Sequence, residues 1–156
     1  MKSLELNWIR KKVDKTIPMP EVMFYPLAGA SGKYYTPKKS EMFDLDGKPH
    51  DMRYGVIVIN PRYNKIESTI AHEWRHHWQH FHGIKFEISD LKTFGKMKFN
   101  ESLVKYFRTS KTEKDALRFQ YEHAGIHDGW EQILYPFLKD LIINPTITYG
   151  NNTISN

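Results

Sequence analysis

The order of apolar and polar residues along the chain predicts one helix, then short strands, then further helices. In the segment 4–13 apolar residues recur at helical spacing, and the Ile17-Pro18 step ends this helix because proline disfavours helical backbone in the residue before it. Between residues 21 and 51 Pro, Gly, Tyr and Lys dominate, which predicts short strands joined by hairpins or loops. The turn signals in this region are Ala28-Gly29, Ser31-Gly32 and Asp46-Gly47.

The clearest strand is the run Val56-Ile57-Val58-Ile59, in which β-branched residues precede the turn dipeptide Asn60-Pro61. Soon after it a helical pattern extends from residue 66 to residue 81, and Gly83 is placed to end that helix. One stripe of this helix is apolar and is predicted to face the core: Ala71, Trp74, Trp78 and Phe81.

The C-terminal half is predicted to be helical. A short helix is expected over residues 101–107 and a longer one over residues 112–124. A last helix is expected over residues 129–143. Residues 144–156, rich in Asn and Thr, are expected to form a loose tail. A chain of 156 residues with 40% apolar content can close one core, so residues 1–143 are predicted to be a single domain.

Composition narrows the classes of function. The chain has no Cys, which excludes disulfide frameworks, Cys-based zinc fingers, iron–sulfur clusters and thiol nucleophiles. Any tight transition-metal site must therefore use His and carboxylate ligands. The N-terminal segment lacks the apolar stretch that secretion requires, and no apolar run is long enough to span a membrane. These observations predict a cytoplasmic protein with no membrane partner.

The formal net charge of +5 at pH 7 leaves a polyanionic partner open. Lys and Arg are spread along the chain, however, which is more typical of a solvated basic surface than of a nucleic-acid interface. A basic nucleic-acid-binding accessory protein, of the kind that phages encode, is therefore retained only as an alternative.

The residues that carry chemistry are His72-Glu73-Trp74-Arg75-His76. Two histidines four residues apart project from one face of a helix, one turn apart, and both imidazoles can reach one tetrahedral zinc ion. Glu73 follows the first ligand, where it can take a proton from zinc-activated water and later give it to the leaving amine. This HExxH pattern predicts a hydrolase of the zinc metallopeptidase class. In such enzymes a strand before the helix lies where substrate binds along a sheet edge, and Val56 to Ile59 is expected to be that strand.

A histidine-rich, solvent-exposed helix face is the alternative interpretation, because five of the eight histidines lie between residues 72 and 82. Among them His82 stands where the metzincin pattern has its third ligand. The position of the turn-forming glycine in that pattern is occupied by Gln79, and a helix that continues through Gln79 would carry His82 away from the other two histidines.

In a gluzincin arrangement a Glu on a later helix completes the site, and Glu113 is the best candidate. Ser110 and Glu113 also match a capping box, in which the Glu side chain binds the amide of the N-cap residue. Asp115 could orient a ligand imidazole, or it could be a solvated surface acid. The substitutes for Glu113 as a ligand are Glu122, Glu101, His123 and His127.

The segment from Glu113 to Phe119, together with the HExxH core, resembles small cytosolic metallopeptidases of the ImmA/IrrE type. In that family a Glu-x-x-Ala-x-x-Phe-like helix supplies the third ligand, and the resemblance covers roughly residues 54–124. It implies that Glu113 is the third ligand and that the small Ala116 lets this helix approach the catalytic one. The family often places Asn or Asp where this chain has Leu117. SprT-like proteases, which also begin with a strand and an HExxH helix, are a second resemblance, without a convincing downstream ligand histidine here.

We therefore expect an α+β, zincin-like domain in which a small twisted sheet packs on the HExxH helix and C-terminal helices supply the third ligand. The expected cofactor is Zn2+ and the expected partner is a protein or peptide substrate. The rival to this hypothesis is a metal-binding protein without proteolytic activity. The candidates for stabilising the oxyanion are Tyr121, His123 and His127, among which the sequence does not choose.

Overall fold

The computed structural model describes residues 14–62, 66–85, 99–124, 135–140, 146–149 and 152–155. The predicted helix over residues 4–13 lies outside these ranges. Of the helix predicted over residues 129–143, the described part, residues 135–140, is helical. Within the described ranges the chain is a mixed α+β fold, as expected.

The strands are β1 (Glu21–Phe24), β2 (Gly32–Tyr35), β3 (Glu41–Phe43), β4 (Pro49–Asp51), β5 (Val56–Ile59), β6 (Thr146–Tyr149) and β7 (Asn152–Ser155). The longer helices are α1 (Ile66–Phe81), α2 (Phe99–Thr109) and α3 (Lys111–His123). The predicted strand over residues 56–59 and the helix over residues 66–81 are confirmed. The helices predicted over residues 101–107 and 112–124 are present with slightly shifted ends.

Strand β5 is the centre of a three-stranded sheet with the order β1-β5-β2. It pairs in parallel with β1 and antiparallel with β2, and all four of its residues are buried. A short run of β-branched residues is typical of a strand that is covered on both faces. The expectation that residues 56–59 form the substrate-binding edge is therefore wrong, because β2 occupies the edge beside helix α1.

Strand β2 begins at a glycine because it passes very close to α1. A Cβ atom on Gly32 would overlap the Thr69 side chain and lie 3.3 Å from Cγ of Glu73. The sequence signal Ser31-Gly32, which predicts a turn, instead marks a close approach of strand and helix.

Gly32→Ala is expected to destabilise the fold by about 1–3 kcal/mol, because the added methyl group must push β2 away from α1. Urea unfolding measures this as a lower midpoint with an unchanged slope. Thr69→Ser removes the methyl group that the new Cβ would meet, so the double variant should regain part of the loss. An unchanged midpoint in Gly32→Ala would contradict the close approach.

A buried chain of hydrogen bonds links β2 to α1 through Tyr34 and His77. His77 Nε2 donates to the Pro18 carbonyl at 2.7 Å, so its Nδ1 is free of a proton and accepts from the Tyr34 hydroxyl at 2.9 Å. Burial raises the pKa of Tyr34, which keeps the hydroxyl a donor. Gly55, with φ +90, leaves room for that hydroxyl, since a Cβ there would lie 2.5 Å from it. His77 is thus a core residue of the fold.

Helix α1 ends as the sequence predicts. Gly83 adopts φ +72, its N–H donates to the His80 carbonyl at 3.0 Å, and the N–H of Ile84 donates to the Gln79 carbonyl at 2.9 Å. This pair of bonds is the Schellman motif, in which glycine takes the left-handed position. Helix α1 therefore continues through Gln79 before it stops.

The apolar stripe of α1 packs against the sheet and against α3. Ala71 and Trp74 are fully buried, and the Trp74 and Phe119 rings stack with centroids 6.3 Å apart. Ala116 is also fully buried, as expected for a helix that approaches its neighbour closely. Phe81, by contrast, is 38% exposed, so the predicted apolar stripe is less buried in the last turn of the helix.

Within residues 144–156, which the sequence predicts to be a loose tail, the described residues form a two-stranded sheet. Strands β6 and β7 pair antiparallel, with Thr146 opposite Ser155 and Tyr149 opposite Asn152. The short alternating segment Thr146–Tyr149 fits a strand. Among the described residues, no helix is both long and apolar enough to cross a membrane.

Candidate metal centre

Three side chains from two helices converge at one point. His72 and His76 come from α1, and Glu113 comes from the first turn of α3. One ligand atom from each lies within 4.8 Å of the other two. The Nε2 atoms of His72 and His76 are 3.1 Å and 2.8 Å from the Glu113 carboxylate oxygens. Within the described residues, this is a group that could hold a metal ion.

The side chain of Glu113 faces the histidines and does not cap helix α3, although its backbone N–H takes part in the cap. The Ser110 hydroxyl accepts from the Glu113 N–H at 3.3 Å, which is one half of the predicted capping box. The N–H of Ser110, which the other half would require, donates instead to the Tyr106 carbonyl at 3.0 Å. The Glu113 carboxylate is therefore directed at the two imidazoles.

The outer nitrogens of both imidazoles are held by glutamine side chains. Nδ1 of His72 lies 3.0 Å from Oε1 of Gln120, and Nδ1 of His76 lies 2.9 Å from Oε1 of Gln79. An amide oxygen can only accept, so each Nδ1 carries a proton, and in its neutral form each imidazole presents a lone pair at Nε2.

These two lone pairs face the carboxylate of Glu113, which is also an acceptor. Three buried acceptors at hydrogen-bond distance need either a bound cation or a second proton on an imidazole between them. Two imidazole nitrogens and one carboxylate are also the donor set of catalytic metal sites that keep a further position open for water or substrate. The residues present therefore fit a bound metal ion.

Burial and charge act differently on the two carboxyl groups of the site. Burial raises the pKa of Glu73, against the opposing effects of the imidazoles of His72 and His76 and of the Tyr34 backbone N–H. Burial alone would also raise the pKa of Glu113, but attraction to His76 and His72 and their hydrogen bonds outweigh it and hold that pKa well below its usual range. The pKa of Glu113 is thus lowered and that of Glu73 raised, so Glu113 is the more readily ionised of the two carboxyl groups.

His82 is not part of this group, so the metzincin alternative is wrong. Because α1 continues to residue 81, His82 turns away, and its Nε2 lies 3.3 Å from the Asp14 carboxylate. Its ring stacks on Trp78 with centroids 3.9 Å apart. The alternative of a solvent-exposed histidine face is also contradicted, since His72 and His76 are buried.

The remaining candidates have other described contacts or lie outside the described side chains. Glu122 forms an ion pair with Arg118 at 3.1 Å. His123 packs beside Phe119, and Tyr121 stacks on Tyr135. The side chain of Glu101 and the whole of His127 lie outside the described part of the chain. The oxyanion role proposed for Tyr121, His123 or His127 stays a prediction.

Asp115 and Arg75 form a buried ion pair rather than two surface charges. Nε of Arg75 lies 2.7 Å from the Asp115 carboxylate, and both side chains are almost completely buried. Asp115 reaches the site through Gln79, whose side-chain N–H donates to it at 2.9 Å, so the expected direct contact with an imidazole is replaced by an indirect one. The sequence reasoning missed Gln79 and Gln120 as partners of the histidines. The signal for Gln79 was its position three residues after His76, on the same helix face.

Comparison of the chain with protein-family models, with curated proteins and with solved structures finds no match.

Proposed function

We propose that this protein is a zinc-dependent metallopeptidase with a zincin-like domain and a gluzincin set of ligands. The observation that carries the proposal is the convergence of His72, His76 and Glu113 beside the buried Glu73. Zinc is the metal that suits two imidazoles and one carboxylate with an open position. When bound, zinc supplies Lewis acidity, which lowers the pKa of a water molecule and polarises the scissile carbonyl group.

Glu73 is proposed as the general base and acid. Its carboxyl group is buried next to the two histidines, and burial raises its pKa towards the range in which a group can both accept and return a proton. The N–H of Tyr34 in β2 donates to this carboxylate and restricts its orientation. In the proposed reaction Glu73 takes a proton from the attacking water and delivers it to the leaving amine.

An extended peptide is proposed to bind along β2. This strand pairs with β5 through one edge, and at Gly32 and Tyr34 it approaches Glu73. An edge strand offers main-chain groups to an added strand irrespective of substrate side chains. A peptide in that position would have its scissile bond beside the base, which supports peptide hydrolysis over other hydrolytic reactions.

The proposal is tested by incubating zinc-reconstituted protein with quenched fluorescent peptides and with an unfolded protein substrate. Cleavage that requires both zinc and Glu73 is the expected result. Zinc binding without cleavage of any substrate would instead favour a metal-binding protein without proteolytic activity. Strongly salt-dependent oligonucleotide binding without bound zinc would favour the accessory-protein alternative.

A further inference from the structure

Gln79 makes three described hydrogen bonds that join both ligand-bearing helices. Its side-chain oxygen lies 2.9 Å from Nδ1 of His76. Its side-chain nitrogen donates to the Thr112 carbonyl at 3.0 Å and to the Asp115 carboxylate at 2.9 Å. The residue is fully buried. One amide thus contacts a candidate ligand on α1 and two acceptors on α3.

The orientation of this amide is determined by its partners. A backbone carbonyl and an ionised carboxylate can only accept, so the NH2 end of Gln79 must face Thr112 and Asp115. A flipped amide would place its oxygen against both of these acceptors. The oxygen of Gln79 therefore faces His76, and it selects the imidazole form in which Nδ1 carries the proton and Nε2 is available to a metal.

Asp115 is itself held in place. Arg75 donates to it through Nε at 2.7 Å and through Nη2 at 3.2 Å. The guanidinium of Arg75 lies over the Trp78 ring, 4.1 Å from its centroid, and over the Phe119 ring at 5.0 Å. A planar guanidinium that is stacked and doubly bonded has little freedom. Arg75 therefore fixes the position of the Asp115 carboxylate, and this carboxylate in turn fixes the side-chain amide of Gln79.

We infer that Gln79 is a positioning residue for the metal centre, held by Asp115 and Arg75. It orients His76 with Nε2 towards the metal, and through Thr112 it fixes the start of α3, so that Glu113 meets the same point. The inference rests on the metal site of the proposed function but not on peptidase activity. Outer hydrogen-bond partners of metal-bound imidazoles commonly contribute a factor of about 10 to 100 in metal affinity.

The first test is the zinc affinity of Gln79→Leu, measured by competition with a chromophoric chelator. The variant keeps the approximate volume but cannot accept from His76, and a loss of about 10- to 100-fold is expected. Glu122→Ala is the matched control, because it removes an ion pair of α3 without touching the site. The control should bind zinc as tightly as the wild type. Equal affinity in Gln79→Leu and wild type would overturn the inference.

Gln79→Glu separates positioning from a purely structural role, and it is also informative if Gln79→Leu does not fold. The carboxylate can still accept from His76, but it opposes the Thr112 carbonyl and Asp115, so the melting temperature of the metal-free protein should fall. Zinc affinity should nevertheless exceed that of Gln79→Leu by at least about 10-fold. If zinc affinity in both variants simply follows their stability, the positioning role is wrong. Wild-type protein that binds no zinc would overturn the proposed function as well.

Discussion

Replacing Glu73 by Gln is expected to lower kcat for peptide hydrolysis by about 100- to 10,000-fold while zinc remains bound. Glutamine preserves the size of the side chain and can still accept from the Tyr34 N–H. It cannot take the proton from the attacking water or return it to the amine, so the loss falls on the chemical step. Zinc affinity should change little because Glu73 is not among the three converging ligands.

The measurement is kcat and KM on a quenched peptide, with zinc content determined on the same preparation. Glu67→Gln is the matched control, since Glu67 is an exposed glutamate in the first turn of the same helix. The control is expected to keep full activity. Activity retained in Glu73→Gln would refute the proposed mechanism, whereas loss of zinc in this variant would show that Glu73 acts as a ligand.

Glu113→Ala is expected to weaken zinc binding by more than about 100-fold, beyond the effect of losing an outer partner of a ligand. The carboxylate is the only anionic member of the group His72, His76 and Glu113, and it lies 2.8 Å and 3.1 Å from the two Nε2 atoms. Removing it leaves two imidazoles, which cannot complete a three-ligand catalytic site.

Chelator competition on the Glu113→Ala protein measures this loss directly. Glu122→Ala, which breaks a partly buried i,i+4 ion pair on the same helix, should leave zinc affinity unchanged. The two variants together distinguish Glu113 from Glu122 as the third ligand. Unchanged affinity in Glu113→Ala would remove the gluzincin arrangement, and a loss in Glu122→Ala would point to Glu122 instead.

The catalytic helix could be predicted from the sequence because its signals are local. The spacing of His72 and His76, the apolar stripe that includes Trp74, and the glycine after the helix all act within one element. The structure confirms the helix boundaries and brings both histidines to one buried flank. Local periodicity determines which residues share a helix face, whatever packs against it.

The sheet order could not be predicted, because it depends on contacts between distant segments. The run Val56–Ile59 is equally compatible with a central and an edge strand, and only pairing with both β1 and β2 places it in the centre. Gly32 reads as a turn residue by itself. Its function in close packing appears only when Thr69 and Glu73, which lie 37 and 41 residues later in the sequence, pack against it.

The third ligand was ambiguous for a related reason. Ser110 and Glu113 satisfy the sequence rule for a capping box, and the same glutamate satisfies the requirements of a metal ligand. Which of the two applies depends on the partner of the Ser110 N–H, and that partner, the Tyr106 carbonyl, lies on the preceding helix. The position of Gln79 after His76 indicates only a shared helix face, whereas its contacts with Thr112 and Asp115 depend on the packing of α3 against α1.

Whether His72, His76 and Glu113 hold zinc can be measured by elemental analysis of the purified protein. Wild type and His76→Ala are dialysed equally and measured side by side. About one zinc per chain is expected in the wild type, with loss of that zinc in His76→Ala, since three protein ligands define such a site. Wild-type protein without zinc, even after reconstitution, would show that these residues do not form a zinc site.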